Sequence, residues 1–359
     1  MKKTERMKKT IAIIFGGKSA EHDVSIQSAH SVLKVIDKLK YNVILVGIDK
    51  KGRWFHVDEK YFLSGNQPFF SDKFVKNNPV VPCAKNGGFF IENKKVDAVF
   101  PLVHGTFGED GALQGFFKIF NVPFVGADIT GSSIGMDKDV TKRLLREAKI
   151  TVADYIVYKK HQKNEISFEK IKKKLGLPFF VKPASLGSSV GIKKVKNKSE
   201  FEVAIKDSFS YGSKIIIEEF IEGRELECSV LGNGKPIASI PGEIILHREF
   251  YSYEAKYLDE NAATLSIPAK ISKSMTKKIQ SMALKVFETL CCEGMGRVDF
   301  FITKNNQIFV NEINTVPGFT SISMYPKLWE YSGIPYPALI DKLIELAIDR
   351  HNTENKFKI

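Results

Sequence analysis

Two short apolar segments near the C-terminal end of the chain flank the dipeptide Asn305-Asn306, and both carry carboxylates. Consecutive asparagines tolerate positive φ, so the pattern predicts a β-hairpin with a two-residue turn at this dipeptide. With the turn there, Asp299 lies directly across from Glu312. Two carboxylates facing each other at about 5 Å repel, and a bound divalent cation would relieve the repulsion.

The same face of the predicted hairpin carries two more polar side chains. Residues two apart on a strand share a face, so Asn314 lies beside Glu312 and Arg297 beside Asp299. Carboxylates and an amide oxygen suit Mg²⁺, with a nucleotide phosphate as a further ligand. We therefore predict a metal site at Asp299, Glu312 and Asn314. The alternative is an exposed polar face on which Arg297 balances the charge.

A second candidate site begins at Lys182, which closes a short apolar segment. The next nine residues, 183–191, include two glycines and three serines. Such a loop offers backbone N–H groups and hydroxyls to phosphate oxygens, with the lysine as a point charge; a plain flexible hairpin is the alternative. A Walker A loop is excluded, because GKS at 17–19 follows Ala12 where that motif requires glycine.

Two further loops follow apolar segments and precede helical patterns, which is where binding sites lie in parallel α/β sheets. The first carries Glu21, which either binds substrate or stabilises a helix N-terminus. The second, at 104–111, contains three glycines. Its glycines either bring the backbone close to a ligand or form a tight turn. The residues alone leave both choices open.

These segments together resemble the D-alanine–D-alanine ligase family of the ATP-grasp superfamily over about residues 10 to 350. The matching segments occur in the family's order and at its spacing. They are GGKSAE at 16–21 through Ser25, HGTFGEDG at 104–111, MDK at 136–138, KPASLGSSVG at 182–191, YEAKY at 253–257, RVD at 297–299 and EINTVPG at 312–318.

The resemblance implies an α/β fold of three domains, in which an N-terminal parallel-sheet domain joins two α+β domains that clasp ATP. We place the domains at 1–126, 127–213 and 214–359. The implied reaction is ATP-dependent ligation of two D-alanines to D-alanyl-D-alanine, with ADP and phosphate, through a D-alanyl phosphate, for peptidoglycan precursor synthesis. The alternative is another ATP-grasp carboxylate ligase, such as a D-alanine–D-lactate ligase.

The resemblance also assigns site residues by position. The implied ATP-binding residues are Lys138, Lys182, Ser188, Ser189, Glu218, Ile221 and Glu225. The implied ligands of two Mg²⁺ (or Mn²⁺) ions are Asp299, Glu312 and Asn314. The implied substrate-binding residues are Glu21, His104, Lys256 and Ser323. The implied catalytic residues are Glu21, Ser188, Tyr257, Arg297 and Gly318.

Among these, Arg297 is expected to steady the transferring phosphate and Gly318 to offer its N–H to the tetrahedral intermediate. Glu21, Ser188 and Tyr257 match a hydrogen-bonded triad that latches mobile loops over the site. We expect the segment 248–257 to be a mobile lid, since its tyrosines and charges show no regular period. The chain departs from some family members at Ile322, where they carry histidine.

The elements that position these residues follow from periodicity. Apolar runs predict strands at 11–15, 43–48, 96–103, 154–158, 179–182, 191–195, 214–220, 226–231, 296–302 and 308–314. Helical spacing predicts helices at 25–39, 111–120, 132–149, 272–290 and 337–350. Strands alternating with helices in the first third imply a parallel sheet.

Composition bounds the remaining possibilities. The formal net charge of +13 raises nucleic-acid binding as a rival, but the one dense basic run, at 159–174, has acidic residues and helical spacing and favours a solvated helix face. No apolar run is long enough for a membrane span, and four cysteines fit neither a zinc site nor a disulfide framework. We expect a cytoplasmic enzyme; the resemblance suggests a homodimer whose partners are D-alanine and ATP, with neither nucleic acid nor membrane.

Overall fold

The computed structural model describes residues 8–64, 70–85, 88–187, 190–246 and 263–358. The elements of the first unit are β1 (Lys9–Gly16), α1 (His22–Val35), β2 (Tyr41–Ile48), β3 (Trp54–Val57), α2 (Glu59–Leu63), α3 (Asp72–Asn77), β4 (Cys83–Lys85), β5 (Gly88–Ile91), β6 (Lys94–Val96), β7 (Ala98–Pro101) and α4 (Ala112–Ile119).

The main sheet of this unit has the order β3-β2-β1-β7. Strand β1 is parallel to β2 and β7, and β3 forms an antiparallel edge. The predicted strand at 11–15 is confirmed, and all five of its residues are fully buried. Because β1 and β7 run the same way, the loops that carry Glu21 and His104 leave the sheet at the same edge.

The second unit holds α5 (Ile129–Met136), α6 (Lys138–Glu147), β8 (Tyr155–Lys159), a 3₁₀ helix (Lys160–Glu165), α7 (Phe168–Leu175), β9 (Phe179–Pro183), β10 (Lys193–Val195), α8 (Lys198–Ser208) and β11 (Lys214–Glu219). Its antiparallel sheet has the order β10-β9-β11-β8. Strand β11, which we placed in the third unit, pairs here, so by strand pairing the central unit continues to Glu219. The domain boundaries themselves stay a prediction.

The single helix predicted at 132–149 is wrong, because the chain forms α5 and α6 with a break at Asp137. Asp137 has an extended backbone, with φ −94° and ψ 101°, and its carboxylate accepts the N–H groups of Asp139 and Val140. This is an N-cap, which begins a new helix. The break makes Lys138 the first residue of α6 and directs the start of that helix towards the loop after β9, where the Lys138 N–H bonds to the Ala184 carbonyl at 2.9 Å.

The third unit holds β12 (Arg224–Gly232), β13 (Ile237–Ala238), β14 (Gly242–Leu246), β15 (Ala263–Ser266), α9 (Lys273–Thr289), β16 (Gly294–Ile302), β17 (Ile308–Asn314), α10 (Met324–Tyr331) and α11 (Tyr336–Glu354). Its antiparallel sheet has the order β15-β14-β12-β16-β17, with β13 against β12. None of the helices in the described residues is both long and apolar enough to cross a bilayer.

The first and third units share one hydrophobic core. Phe319, in the loop between β17 and α10, is fully buried and packs edge-to-face on Phe100 of β7, with ring centroids 5.6 Å apart. Leu343 and Ile344 of α11 belong to the same core as Phe15 of β1. This packing holds the loop after β17 against the carboxyl edge of the first sheet.

Candidate active site

Strands β16 and β17 place Asp299 opposite Glu312, and Arg297 opposite Asn314, so the predicted facing of two carboxylates is confirmed. Arg297 donates two hydrogen bonds to Asp299, from Nε to Oδ1 and from Nη2 to Oδ2, both at 2.8 Å. The Asn314 amide donates to Asp299 Oδ2 at 2.9 Å. Lys138 Nζ lies 3.5 Å from Glu312 Oε2. The facing carboxylates are thus neighbours of two cations.

The predicted two-residue turn at Asn305-Asn306 is wrong. The Thr303 N–H bonds to the Gln307 carbonyl at 3.0 Å, which leaves three residues in the turn, and Asn306 adopts a φ of 60°. Three turn residues shift the pairing by one position near the turn, but a β-bulge between the pairs of Asp299 and Phe300 shifts it back.

The neighbouring strand adds a carboxylate that the sequence analysis missed. Glu227 of β12 pairs with Asp299, is buried, and has Oε2 2.9 Å from Arg297 Nε. Arg297 therefore bridges Glu227 and Asp299. The sequence did contain a signal for Glu227. Glu225 and Glu227 are two residues apart in an apolar strand, a spacing that places both side chains on one face.

The donor set on this face fits a hard divalent cation. It consists of oxygens only, from the two facing carboxylates and the Asn314 amide, which is the preference of Mg²⁺. In the described residues no group of three or more His, Cys, Asp or Glu side chains is gathered tightly enough to hold a metal. A nucleotide phosphate would have to complete the coordination, as the sequence predicts.

Three lysines line the neighbouring region, and a single glutamate pairs two of them. Lys182 Nζ lies 2.5 Å from Glu218 Oε2, and the fully buried Lys142 pairs with Oε1 of the same carboxylate. Lys138 donates to the Leu186 carbonyl at 2.6 Å, in the loop that follows Lys182. The lysines predicted to contact phosphate are therefore adjacent, and Lys142 is a residue that sequence reasoning missed.

Electrostatics keeps this buried group ionised. Burial alone would raise the pKa of Glu218, but the ammonium groups of Lys142 and Lys182 outweigh it and lower the pKa to about 2. Burial lowers the pKa of Lys142, and Glu218 opposes that shift. Glu218 thus fixes the Lys182 side chain, a role in addition to the nucleotide contact that the resemblance implied for it.

A cavity of about 430 Å³ opens between the second and third units. Its lining includes every described residue that was assigned to ATP binding, namely Lys138, Lys182, Glu218, Ile221 and Glu225, together with Glu312. Apolar side chains such as Phe220, Ile244 and Phe309 line the same cavity. The cavity therefore combines apolar side chains with a few charged ones, as small-molecule sites do.

Glu21 lies at the N-terminus of α1, where its side chain makes no capping hydrogen bond. Its carboxylate instead lies against two glycine-rich loops: a methyl group at Gly105 would approach Oε2 to 2.5 Å, and one at Gly187 to 3.4 Å. The structure thus brings Glu21 to the loop after Lys182, although the two are far apart in sequence.

His104 is buried and uses both ring nitrogens within the protein. Nδ1 lies 3.0 Å from the Val316 carbonyl, and Nε2 lies 3.0 Å from Ser28 Oγ. Burial lowers the pKa of His104 to about 4, against a weaker opposing effect of the Val316 carbonyl. The imidazole is therefore neutral at pH 7. Its assignment to substrate binding stays a prediction, and these contacts favour a supporting role.

Glu109 lies in the same loop and is not among the predicted site residues. Its Oε2 accepts the Gly105 N–H at 2.6 Å, and its Oε1 accepts the Val316 N–H at 3.0 Å. Burial, and then the Glu21 carboxylate, raise the pKa of Glu109. The HGTFGED segment therefore bonds directly to the loop after β17.

Gly318 and Ser323 lie together in the loop after β17. A methyl group at Gly318 would come within 2.7 Å of Ser323 Oγ, so any larger residue would disturb Ser323. Ser323 Oγ accepts the Thr320 N–H at 3.0 Å and lies 2.8 Å from Thr320 Oγ1. The predicted oxyanion donor and the predicted carboxylate binder are thus neighbours.

Four predicted site residues lie outside the described residues. They are Ser188, Ser189, Lys256 and Tyr257. The lid predicted at 248–257 lies outside them as well.

Comparison with known proteins adds independent information. The family models described as D-ala D-ala ligase N-terminus and C-terminus match residues 10–127 and 144–345. A D-alanine–D-alanine ligase of Oceanobacillus iheyensis is 50% identical over 360 residues, covering 98% of each chain. The D-alanine–D-alanine ligase structure from Coxiella burnetii matches with a TM-score of 0.87 and 43% identity, covering 98% of this chain and 97% of that one. The VanG D-Ala:D-Ser ligase structure from Enterococcus faecalis matches with a TM-score of 0.84 and 38% identity, covering 95% and 99%.

Proposed function

The chain belongs to the D-alanine–D-alanine ligase family, and from this premise we propose that it joins two D-alanines to D-alanyl-D-alanine while converting ATP to ADP and phosphate. The observation that carries the proposal is the cavity in which Lys138, Lys182 and Glu312 meet. It combines apolar side chains for a base, lysines for phosphates and, in Glu312, one of the two facing carboxylates for a cation. The dipeptide would serve peptidoglycan precursor synthesis.

Asp299, Glu312 and Asn314 are the residues that would hold Mg²⁺ or Mn²⁺. When bound, such ions neutralise the charge on the transferring phosphate. The chain's own cations share this task, because Lys138 lies 3.5 Å from Glu312 and Arg297 is hydrogen-bonded to Asp299.

In the first step the carboxylate of one D-alanine attacks the γ-phosphate of ATP and forms D-alanyl phosphate, with ADP as the leaving group. Glu21 would hold the ammonium of this D-alanine. Lys138 and Lys182 would hold the ATP phosphates. Phosphoryl transfer of this kind depends on positioning and charge neutralisation and uses no protein nucleophile.

In the second step the amine of the other D-alanine attacks the acyl carbonyl, and phosphate leaves. Ser323 and Lys256 would bind the second substrate's carboxylate. Arg297 and the Gly318 N–H would stabilise the tetrahedral oxyanion. Water must be kept from the acyl phosphate, a role we assign to the segment 248–257, with Glu21, Ser188 and Tyr257 as its latch.

The assembly and cellular site are also proposals. We propose a homodimer in the cytoplasm whose small-molecule partners are D-alanine and ATP, with neither nucleic acid nor membrane. A different second substrate is the rival function, as in a D-alanine–D-lactate ligase. The structural similarity to a D-Ala:D-Ser ligase makes D-serine a third candidate.

The test is a phosphate-release assay on purified protein with ATP and Mg²⁺, with the product identified by mass spectrometry. D-alanine should stimulate phosphate release and give D-alanyl-D-alanine, whereas L-alanine should not. Phosphate release that is independent of D-alanine would overturn the proposal. Binding of RNA or DNA at physiological salt without ATP would support the rival suggested by the net charge.

A further inference from the structure

The Val316 peptide is held at both of its polar ends by the first unit. Glu109 Oε1 accepts the Val316 N–H at 3.0 Å. His104 lies 3.0 Å from the Val316 carbonyl through Nδ1. A carbonyl only accepts hydrogen bonds, so Nδ1 carries the proton and donates. Two side chains from one glycine-rich loop thus bind a single residue more than 200 positions away.

Phe319, three residues later, is held in the same way. Its N–H donates to Ser28 Oγ at 3.2 Å, and its carbonyl accepts from the Tyr336 hydroxyl at 2.7 Å. With Nδ1 of His104 protonated, Nε2 accepts, and Ser28 Oγ donates to it at 3.0 Å. His104 therefore supports both Val316 directly and Phe319 through Ser28.

Between these two anchors lie Pro317 and Gly318. Proline has no N–H, and within the described residues the Gly318 N–H bonds to no protein acceptor. Among the described residues, Gly318 therefore presents a donor N–H on a backbone that is held on either side.

We propose that Glu109 and His104 are positioning residues that clamp the loop 316–319 and so set where the Gly318 N–H meets the reacting carbonyl. The inference rests on the proposed function, because Gly318 is assigned there to the oxyanion. It links the unit that carries Glu21, the holder of the first substrate, to the donor that acts in the second step. Neither residue needs to touch substrate for this role.

The expected effect is large because oxyanion donors act over short distances. Losing one such donor costs about 10²- to 10³-fold in kcat, and a misplacement of about 1 Å costs about 10²-fold. A loosened clamp should therefore lower kcat by about 10- to 100-fold. It should leave the KM for ATP within about twofold, since neither residue lines the nucleotide cavity.

Glu109→Gln tests the clamp directly. Both Glu109 oxygens accept N–H groups, and glutamine has one oxygen only, so one of those N–H groups would face another donor. Asp110→Asn is the matched control. Asp110 also accepts two N–H groups, from Phe107 at 2.8 Å and Ala112 at 3.1 Å, but neither belongs to the loop 316–319. We expect Glu109→Gln to lower kcat and Asp110→Asn to lower it by less than twofold.

A pair of His104 variants gives a second test, should Glu109→Gln fail to fold. The amide nitrogen of asparagine is as many bonds from Cα as Nδ1 and donates as Nδ1 does. The amide oxygen of glutamine is as many bonds from Cα as Nε2 and accepts as Nε2 does. His104→Asn can still donate to Val316, whereas His104→Gln keeps only the Ser28 side. We expect the kcat of His104→Asn to be at least tenfold higher than the kcat of His104→Gln.

The readouts are kcat for dipeptide, the KM for ATP and the melting temperature of the full chain. Equal kcat in Glu109→Gln and Asp110→Asn, or in the two His104 variants, would overturn the inference while the unmodified protein still makes dipeptide. If the unmodified protein makes no D-alanyl-D-alanine, the proposed function fails first and the inference falls with it.

Discussion

Asp299 and Glu312 face each other across β16 and β17 because two irregularities in the hairpin cancel. The three-residue turn alone would set Asp299 opposite Asn311 and turn Glu312 towards the core, since a shift of one residue reverses the face of every side chain. The bulge makes Asn311 and Glu312 together oppose Asp299. Bulges re-aim side chains next to active sites, and here the re-aimed residue is a predicted metal ligand.

We predict that Glu312→Gln nearly abolishes turnover while the fold stays intact. The change removes a charge from the facing pair but keeps the size of the side chain, so several kcal/mol of metal-dependent charge stabilisation is lost and kcat should fall by roughly 10²-fold or more. The measurement is kcat at saturating Mg²⁺, with circular dichroism to check the fold. Glu202→Gln, at an exposed position on α8, is the control. Wild-type kcat in Glu312→Gln would show that the metal assignment is wrong.

We predict that Lys182→Ala raises the KM for ATP and lowers kcat. A charged hydrogen bond to phosphate contributes about 1.5–3 kcal/mol, so kcat/KM for ATP should fall by roughly 10- to 100-fold. Lys206→Ala, on the exposed face of α8, should behave as wild type. An unchanged ATP dependence in Lys182→Ala would mean that the loop at 183–191 is only a hairpin.

Patterns of apolar residues predicted the strands and helices that position the site, because the periods of strands and helices depend on residues close together in the sequence. The buried run at 11–15 is an example. The facing of Asp299 and Glu312 was predicted from a wrong turn and is retained because the bulge compensates for the longer turn. The helix break at Asp137 was missed although the signal was present: an aspartate caps the helix that starts after it. Propensity favoured one continuous helix there, and the cap decided otherwise.

The tertiary contacts could not be predicted from the sequence, because no local pattern shows which distant residues contact each other. Glu109 and His104 reach Val316 across more than 200 residues, and Lys142 reaches Glu218 from another element. The resemblance named His104 without its partners. Packing of the first and third units around Phe319 is what brings these groups together.

We predict that the enzyme makes D-alanyl-D-alanine and not the D-lactate ester. Ligases of the vancomycin-resistance type that make the ester carry a histidine at the position that, by resemblance, corresponds to Tyr257, directly after the lid lysine. A cation there would discourage a protonated amine as second substrate, whereas Tyr257 is neutral. The test is competition between D-alanine and D-lactate from pH 6 to 9, with D-serine in a parallel series. Depsipeptide as the main product near neutral pH would contradict the prediction.

Tyr257→Phe separates product choice from lid closure. Removing the hydroxyl should leave the dipeptide preference in place, because the ring stays neutral. It should weaken the proposed hydrogen bond to Ser188, so that more ATP is hydrolysed for each dipeptide formed. If Tyr257→Phe matches the wild type in both product and ATP coupling, Tyr257 has no latch role.

We predict that His104 makes the folded state sensitive to acid. Burial lowers the pKa of His104 to about 4 from an ordinary value of 6.5. Between these two values the unfolded chain binds the proton and the folded protein does not. The stability from this group is therefore complete above pH 6.5 and is lost as the pH falls towards 4. Between pH 7 and pH 5 the loss should be about 2 kcal/mol.

The measurement is urea unfolding of the wild type and of His104→Gln at pH 7 and pH 5. Glutamine does not titrate, so the variant should be less stable at pH 7, where it lacks the bond to Val316, but should lose about 2 kcal/mol less on going to pH 5. His161→Gln, in the exposed 3₁₀ helix, is the control and should lose as much stability as the wild type. Carboxylates such as Glu218 titrate in all three proteins alike, so the difference between them isolates His104. An identical loss in the wild type and His104→Gln would mean that the buried imidazole becomes protonated in the folded state without cost. In that case the neutral imidazole inferred for the clamp on Val316 would be wrong below neutral pH.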